Sequence, residues 1–74
     1  MSVTKTYLLE GLCCPNCADA IEREVGGEAG IQSANVDFQN TAITVVFNID
    51  EETVFQAITT IVYEIDEDIV TKRV

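Results

Sequence analysis

The chain has 74 residues, enough for one small domain, and its composition already excludes several kinds of protein. Hydrophobic residues make up 47% of the chain and aromatic residues only 7%, so we expect a mostly aliphatic core. Thirteen acidic and four basic residues give a net charge of −9, which disfavours binding to nucleic acids and to anionic membrane surfaces. No apolar run approaches the roughly 20 residues of a membrane-spanning helix, and the N-terminus lacks the apolar core of a secretory signal. These features predict a soluble domain that attracts cations or a basic partner surface.

The first part of the chain predicts a strand, a loop and a helix. Residues 3–9 are rich in β-branched and aromatic types and predict a strand, while residues 11–16 contain the glycine and proline of a loop. From Cys17 onwards apolar residues recur at helical spacing, at Ala18, Ile21 and Val25. The glycine pair at positions 26–27 is expected to end this helix, because glycine tolerates a left-handed cap.

Two alternating segments follow and predict a β-hairpin. Residues 31–38 and residues 42–47 each place apolar side chains on one face, and Gln39-Asn40 is suited to the turn between them. The apolar face of the first segment consists of Ala34, Val36 and Phe38. That of the second segment consists of Ile43, Val45 and Phe47.

The remainder of the chain predicts a second helix and a last strand. Asp50 is a suitable N-cap for a helix whose apolar stripe is formed by Val54, Ala57, Ile58 and Ile61. The last strand is expected at residues 69–73, and the acidic run 64–68 is expected to be a solvated turn. The element order is therefore β-α-β-β-α-β. This is the order of an α+β ferredoxin-like fold, in which two helices cover one face of a four-stranded antiparallel sheet.

Three cysteines, Cys13, Cys14 and Cys17, lie within five residues in the first loop. A clustered, odd-numbered set does not form a disulfide framework, and it indicates metal or thiol chemistry in a reducing compartment. Cys14 and Cys17 form a C-x-x-C motif where a strand passes into a helix, and the helix N-terminus favours the thiolate that binds a soft metal. The sequence has no histidine, so three sulfurs cannot make the closed four-ligand site of a structural zinc. We therefore expect reversible metal binding by a domain that folds without the metal.

Two questions about this loop stay open at the level of the residues. Cys13 is a candidate third ligand, and Glu10, Asp19 or Glu22 could supply a carboxylate, although each is more typical of solvated surface. Thiol–disulfide exchange is the other chemistry that a C-x-x-C motif supports. A thioredoxin-like fold requires a longer chain and another element order, which argues against it.

The sequence resembles the heavy-metal-associated domain family along essentially its whole length, residues 1–74. The family motif G-M-x-C-x-x-C, followed by I-E, is similar to Gly11-Leu12-Cys13-Cys14-Pro15-Asn16-Cys17-Ala18 with Ile21-Glu22. Later family segments are similar to Gly30-Ile31, Val36-Asp37-Phe38, Ala57-Ile58 and Tyr63-Glu64-Ile65. The resemblance implies a ferredoxin-like fold and a metal ion held by Cys14 and Cys17. Members of the family include copper chaperones, mercury carriers and cytosolic N-terminal domains of metal-transporting P-type ATPases.

Four positions depart from the family pattern or need comment. Copper(I) members usually have Thr or Ser at the position of Cys13, whereas zinc, cadmium and lead pumps often have an Asp ligand there. A divalent ion prefers three or four ligands, so Cys13 favours Cd(II), Zn(II) or Pb(II) over Cu(I). Leu12 replaces the usual Met as a core anchor, and Val62 replaces a usual Gly in the expected loop after the second helix. Tyr63 matches an aromatic residue that packs near the metal loop, or else belongs to the core.

These observations predict a cytoplasmic metal-binding domain that is not itself an enzyme. The first hypothesis is the cytosolic N-terminal domain of a heavy-metal-translocating P-type ATPase that carries Cd, Zn, Pb or Cu. Its partners would be the metal ion and the transmembrane or actuator part of the pump or a metallochaperone, with no insertion of this segment into the membrane. The alternative is a free-standing copper chaperone that delivers Cu(I) to such a pump. We expect a monomer, or a dimer bridged by the metal.

Overall fold

The computed structural model describes residues 2–73, and the element order in this range is the predicted one. The strands are β1 (Val3–Glu10), β2 (Ile31–Asp37), β3 (Ala42–Phe47) and β4 (Val70–Arg73), and the helices are α1 (Pro15–Gly26) and α2 (Glu51–Ile65). The α+β prediction with β-α-β-β-α-β order is therefore confirmed.

The four strands form one antiparallel sheet in the order β2-β3-β1-β4. Strand β1 lies inside the sheet, where it pairs with β3 along residues 3–8 and with β4 along residues 7–10. Because β4 runs antiparallel to β1, Val70 at the start of β4 lies opposite Glu10 at the end of β1. The segment that precedes β4 is thus brought next to the cysteine loop that follows β1.

The core lies between the sheet and the two helices and is mostly aliphatic, as predicted. Helix α1 contributes Ala18, Ile21 and Val25, the stripe expected from the sequence. Helix α2 contributes Val54, Ile58 and Val62, whereas Ala57 and Ile61 of its predicted stripe are only partly buried. The fully buried stripe of α2 therefore repeats every four residues.

The end of α2 differs most from the sequence expectation. The family pattern predicts Val62 in a loop, but this residue is fully buried within the helix, which continues to Ile65. Glu64 and Ile65 are therefore helical, and the solvated turn is shorter than the predicted 64–68. Tyr63 is 60% exposed, so its assignment to the core is wrong. The long helix turns this side chain outwards while it buries its neighbour Val62.

Two details of the first half also differ. Gly27 caps α1 with φ −88°, so the predicted left-handed cap is wrong, and its N–H bonds to the carbonyl groups of Arg23 and Glu24. Phe38 lies beyond β2 in the turn and is 39% exposed, so it does not share the buried face of that strand. In a regular strand, two residues three positions apart point to opposite faces of the sheet. A register shift between Ile31 and Ser33 allows both Ile31 and the partly buried Ala34 to pack against the core.

Candidate metal site

The cysteine loop is attached to the body of the domain at its first two residues. Gly11 has φ +93°, a conformation that disfavours a side chain, and a Cβ atom at this position would lie 2.7 Å from the carbonyl oxygen of Asp68. Leu12 is buried in the core, as expected of the residue in the usual methionine position. The loop therefore starts from a fixed point, with the turn between α2 and β4 packed against it.

The three cysteines differ in their surroundings. Cys14 is the N-cap of α1, with an extended backbone, and its carbonyl accepts the N–H of Ala18 at 3.1 Å. Pro15 occupies the first helical turn, where the absence of an N–H group has no consequence. Cys17, on the first turn of α1, is half-buried and packs against the core, Cys14 is also half-buried, and Cys13 is exposed. All three are free thiols.

The pKa values of the two motif cysteines shift in opposite directions. The backbone N–H groups of Cys17 and Asn16 at the helix start stabilise a thiolate on Cys14 and lower its pKa. Loss of hydration against the core raises the pKa of Cys17, and the neighbouring Cys14 sulfur and the Asp66 carboxylate raise it further. Cys14 therefore loses its proton first, and Cys17 shares that charge through the hydrogen bond between the two sulfurs.

Asp66 is a site neighbour that the sequence analysis missed. It follows the last residue of α2, is half-buried, and its charge raises the pKa of both Cys14 and Cys17. The sequence pattern alone indicated only a solvated turn in this acidic run. The signal that could have found Asp66 is topological: a segment that leads into the strand beside β1 must return to the end of β1, where the cysteines begin.

The carboxylates that the sequence did nominate have other roles or remain on the surface. Glu22 accepts the backbone N–H of Val36 at 2.9 Å, which ties α1 to β2. Glu10 forms an ion pair with Lys72 at 3.0 Å, and Asp19 is exposed on α1. Within residues 2–73 no three Cys, Asp, Glu or His side chains are grouped so that they could hold one ion. The described conformation thus brings together the sulfurs of Cys14 and Cys17, and any third ligand would have to turn towards them.

The arrangement suits capture and release of a soft cation. Two sulfurs on a partly exposed loop can bind an ion without a change in the core, and the open side leaves room for a ligand from another protein. A metal that binds both sulfurs must displace the remaining thiol proton, so occupancy is coupled to proton release.

Comparisons with known proteins match most of the chain. The sequence model of the heavy-metal-associated domain matches residues 6–72. The copper transport protein CCH of Arabidopsis thaliana is 33% identical over 57 residues, which cover 76% of this chain and 47% of that protein. The chain thus spans about half the length of this curated relative.

Solved structures share the fold over nearly the whole chain. The N-terminal domain of PacS from Synechocystis PCC6803 has a TM-score of 0.74 and 26% identity, with 97% of each chain covered. The Cu(I)-loaded N-terminal domain of a potential copper-translocating P-type ATPase from Bacillus subtilis has a TM-score of 0.76 and 22% identity, with 99% of this chain and 88% of that chain covered. Oxidised MerP from Ralstonia metallidurans CH34 has a TM-score of 0.76 and 17% identity, with 99% and 97% covered. The ferredoxin-like fold is confirmed by these matches.

Proposed function

We propose that this chain, which belongs to the heavy-metal-associated domain family, binds one soft metal ion reversibly through Cys14 and Cys17. The observation that carries the proposal is the pair of free thiols at the start of α1, whose pKa values shift in opposite directions. One sulfur is prepared as a thiolate, and the other gives up its proton when the ion arrives. In this role the metal is cargo, and the domain itself catalyses no reaction.

The first candidate cargo is a divalent ion, Cd(II), Zn(II) or Pb(II). Cys13 supports it, because this exposed thiol directly precedes Cys14 and can turn inwards as the third sulfur that a divalent ion prefers. In this role the chain would be the cytosolic N-terminal domain of a metal-translocating P-type ATPase, and it would exchange the ion with the pump or with a metallochaperone. Among the helices of residues 2–73, none combines the length and the apolar character needed to cross a bilayer.

The second candidate cargo is Cu(I). Two observations favour it: the curated relative is named a copper transport protein, and the site contains two sulfurs in the present conformation. Cu(I) is satisfied by two thiolates, so Cys13 would be dispensable. The chain would then act as a copper chaperone or as a copper-pump domain.

A set of metal titrations tests the proposal and separates the two cargoes. The affinities for Cd(II), Zn(II) and Cu(I) are measured by competition with chelators under reducing conditions, for the wild type and for C13S, C14S and C17S. Loss of either motif sulfur should weaken every metal by at least about 100-fold, more than the loss of a group that only supports a ligand. Unchanged affinities in both C14S and C17S would refute the proposal.

The C13S variant distinguishes the candidates. If the cargo is divalent, C13S should weaken Cd(II) by about tenfold or more and leave Cu(I) nearly unchanged, because only the divalent ion gains from a third sulfur. Equal, small effects on all metals would favour Cu(I). Circular dichroism of each apo variant serves as the control for folding.

A further inference from the structure

Strand β2 forms one open edge of the sheet. In the order β2-β3-β1-β4 it has a neighbour on one side only, and with seven residues it is longer than β4, the four-residue strand at the other edge. An edge strand presents unpaired N–H and C=O groups along its free side, where a strand of another molecule can pair with them. The free side of β2 is therefore the place at which a second sheet could join this one.

The backbone groups on the free side of β2 are those of Ala34 and Val36. Residues 33–37 pair with β3 in a regular antiparallel register, in which every second residue points its N–H and C=O away from the neighbouring strand. The N–H of Val36 bonds to Oε2 of Glu22 at 2.9 Å, so Val36 is one of these outward residues. Ala34, two positions earlier in the strand, is then another.

The two outward residues fit each other in a two-fold arrangement. If two copies of β2 lay antiparallel with Asn35 on the symmetry axis, Val36 of one copy would lie opposite Ala34 of the other. The N–H and C=O groups of each such pair point at one another, so the pair can exchange hydrogen bonds in both directions. A second copy of this chain is thus a partner that the hydrogen-bonding pattern of β2 fits.

Glu22 blocks this pairing. Its half-buried carboxylate extends from α1 and already occupies the N–H of Val36 that an incoming carbonyl would need. In the part of the chain that the structure describes, the carboxylates in ion pairs are those of Glu10, Glu51 and Glu52, so the charge of Glu22 has no lysine or arginine beside it. An added strand would have to displace a charge-assisted hydrogen bond and enclose an unpaired carboxylate, and both steps are unfavourable.

We infer that Glu22 prevents dimerisation of this domain by blocking the free edge of β2 against a second copy of the chain. Each copy contributes one such carboxylate, so pairing through β2 must overcome two of them. The net charge of −9 adds a general repulsion between copies, whereas Glu22 acts at the hydrogen bonds of the edge itself. The inference is independent of metal binding, and it is tested on reduced, metal-free protein.

The test compares E22A with Y7F. E22A removes the carboxylate from the edge, and Y7F is the matched control, because it removes a part-buried hydrogen bond from β1, a strand inside the sheet. Sedimentation equilibrium measures the mass of each protein up to about 1 mM, in about 1 M salt, which shortens the Debye length to about 3 Å and suppresses the general repulsion. The wild type and Y7F should stay monomeric. E22A should dimerise at least about tenfold more tightly than the wild type, because each copy loses a charge-assisted hydrogen bond that opposes pairing.

Amide hydrogen exchange locates the interface. In E22A the exchange of the Ala34 and Val36 amides should slow as the protein concentration rises, while exchange in β4 stays unchanged. E22Q removes the charge but keeps an oxygen that can accept the N–H of Val36, so it should dimerise more tightly than the wild type and less tightly than E22A. E22Q decides the question if circular dichroism shows that E22A is unfolded.

Three results would overturn the inference. The first is a folded E22A protein, or a folded E22Q protein in its place, that dimerises no more tightly than the wild type. The second is a Y7F protein that associates as tightly as E22A, since loss of stability alone would then explain the association. The third is slowed exchange in β4 instead of β2, which would place the interface at the other edge of the sheet.

Discussion

The substitution G11A tests how the metal loop is attached to the domain. Gly11 has φ +93°, and an L-residue in a left-handed conformation costs roughly 1–2 kcal/mol. The added Cβ would also lie 2.7 Å from the carbonyl oxygen of Asp68, closer than real Cβ contacts, so the backbone of the α2–β4 turn must move. Together the strain and the displaced turn should lower the free energy of unfolding by about 2–4 kcal/mol. This is a large share of the roughly 5–15 kcal/mol that stabilises a typical domain.

Urea unfolding of the reduced apo protein, followed by circular dichroism, measures this loss. The matched control is G26A, because Gly26 ends α1 and a Cβ there would have no neighbour within 4 Å. The control should range from no change to about 1 kcal/mol of stabilisation, since alanine restricts the unfolded chain. A G11A protein as stable as the wild type would show that Gly11 is not in close contact with the turn between α2 and β4.

Three further predictions concern the supports of the site and its protons. E22A should lower the free energy of unfolding by about 1–3 kcal/mol, because it leaves the partly buried N–H of Val36 without its acceptor, whereas E22Q retains an acceptor and should lose less. Y7F removes the 2.8 Å hydrogen bond from the hydroxyl to Glu51 and should cost about 1–2 kcal/mol in urea unfolding, with metal affinity unchanged. Metal affinity should fall as the pH falls through neutrality, because the raised pKa of the Cys17 thiol keeps this thiol protonated at neutral pH. Metal binding should therefore release at least one proton. Calorimetry in buffers of different ionisation enthalpy measures this release.

Each of these expectations has a result that would contradict it. E22A and E22Q with equal stabilities would mean that the hydrogen bond to β2 contributes little. A Y7F variant with weakened metal binding would connect the hydrogen bond between Tyr7 and Glu51 to the site in a way that the structure does not show. Metal binding without proton release at neutral pH would mean that both thiols are already ionised in the apo protein.

The elements and the sulfur pair could be predicted because their signals are local. Helical spacing identified the buried face of α1, alternation identified the inward face of β3, and the C-x-x-C spacing identified Cys14 and Cys17 as neighbours. The thiolate preference of Cys14 also follows locally, from its place before a helix.

The end of α2 was harder to predict, because tertiary packing decides it. The family pattern suggested a loop at Val62, but this residue continues the buried stripe of α2. Which side chain is buried depends on how the helix packs against the sheet, and a local pattern does not contain that information. Asp66 was missed for a related reason. The cysteines whose pKa values it raises are more than 45 residues away in sequence, and a run of acidic residues does not indicate which residues lie beside it. Selectivity between metals is equally hidden, since thiolates bind all the candidate ions.

The position of β1 inside the sheet affects how fast its backbone amide hydrogens exchange with solvent. This strand is hydrogen-bonded on both sides along residues 7 and 8, so its amides open only when much of the sheet opens with them. We therefore expect deuterium uptake in the strand to stay slow even when a ligand binds at the loop that follows. In such a domain the cysteine loop can adjust while the sheet stays closed, so repeated binding and release of a metal ion would leave the sheet intact.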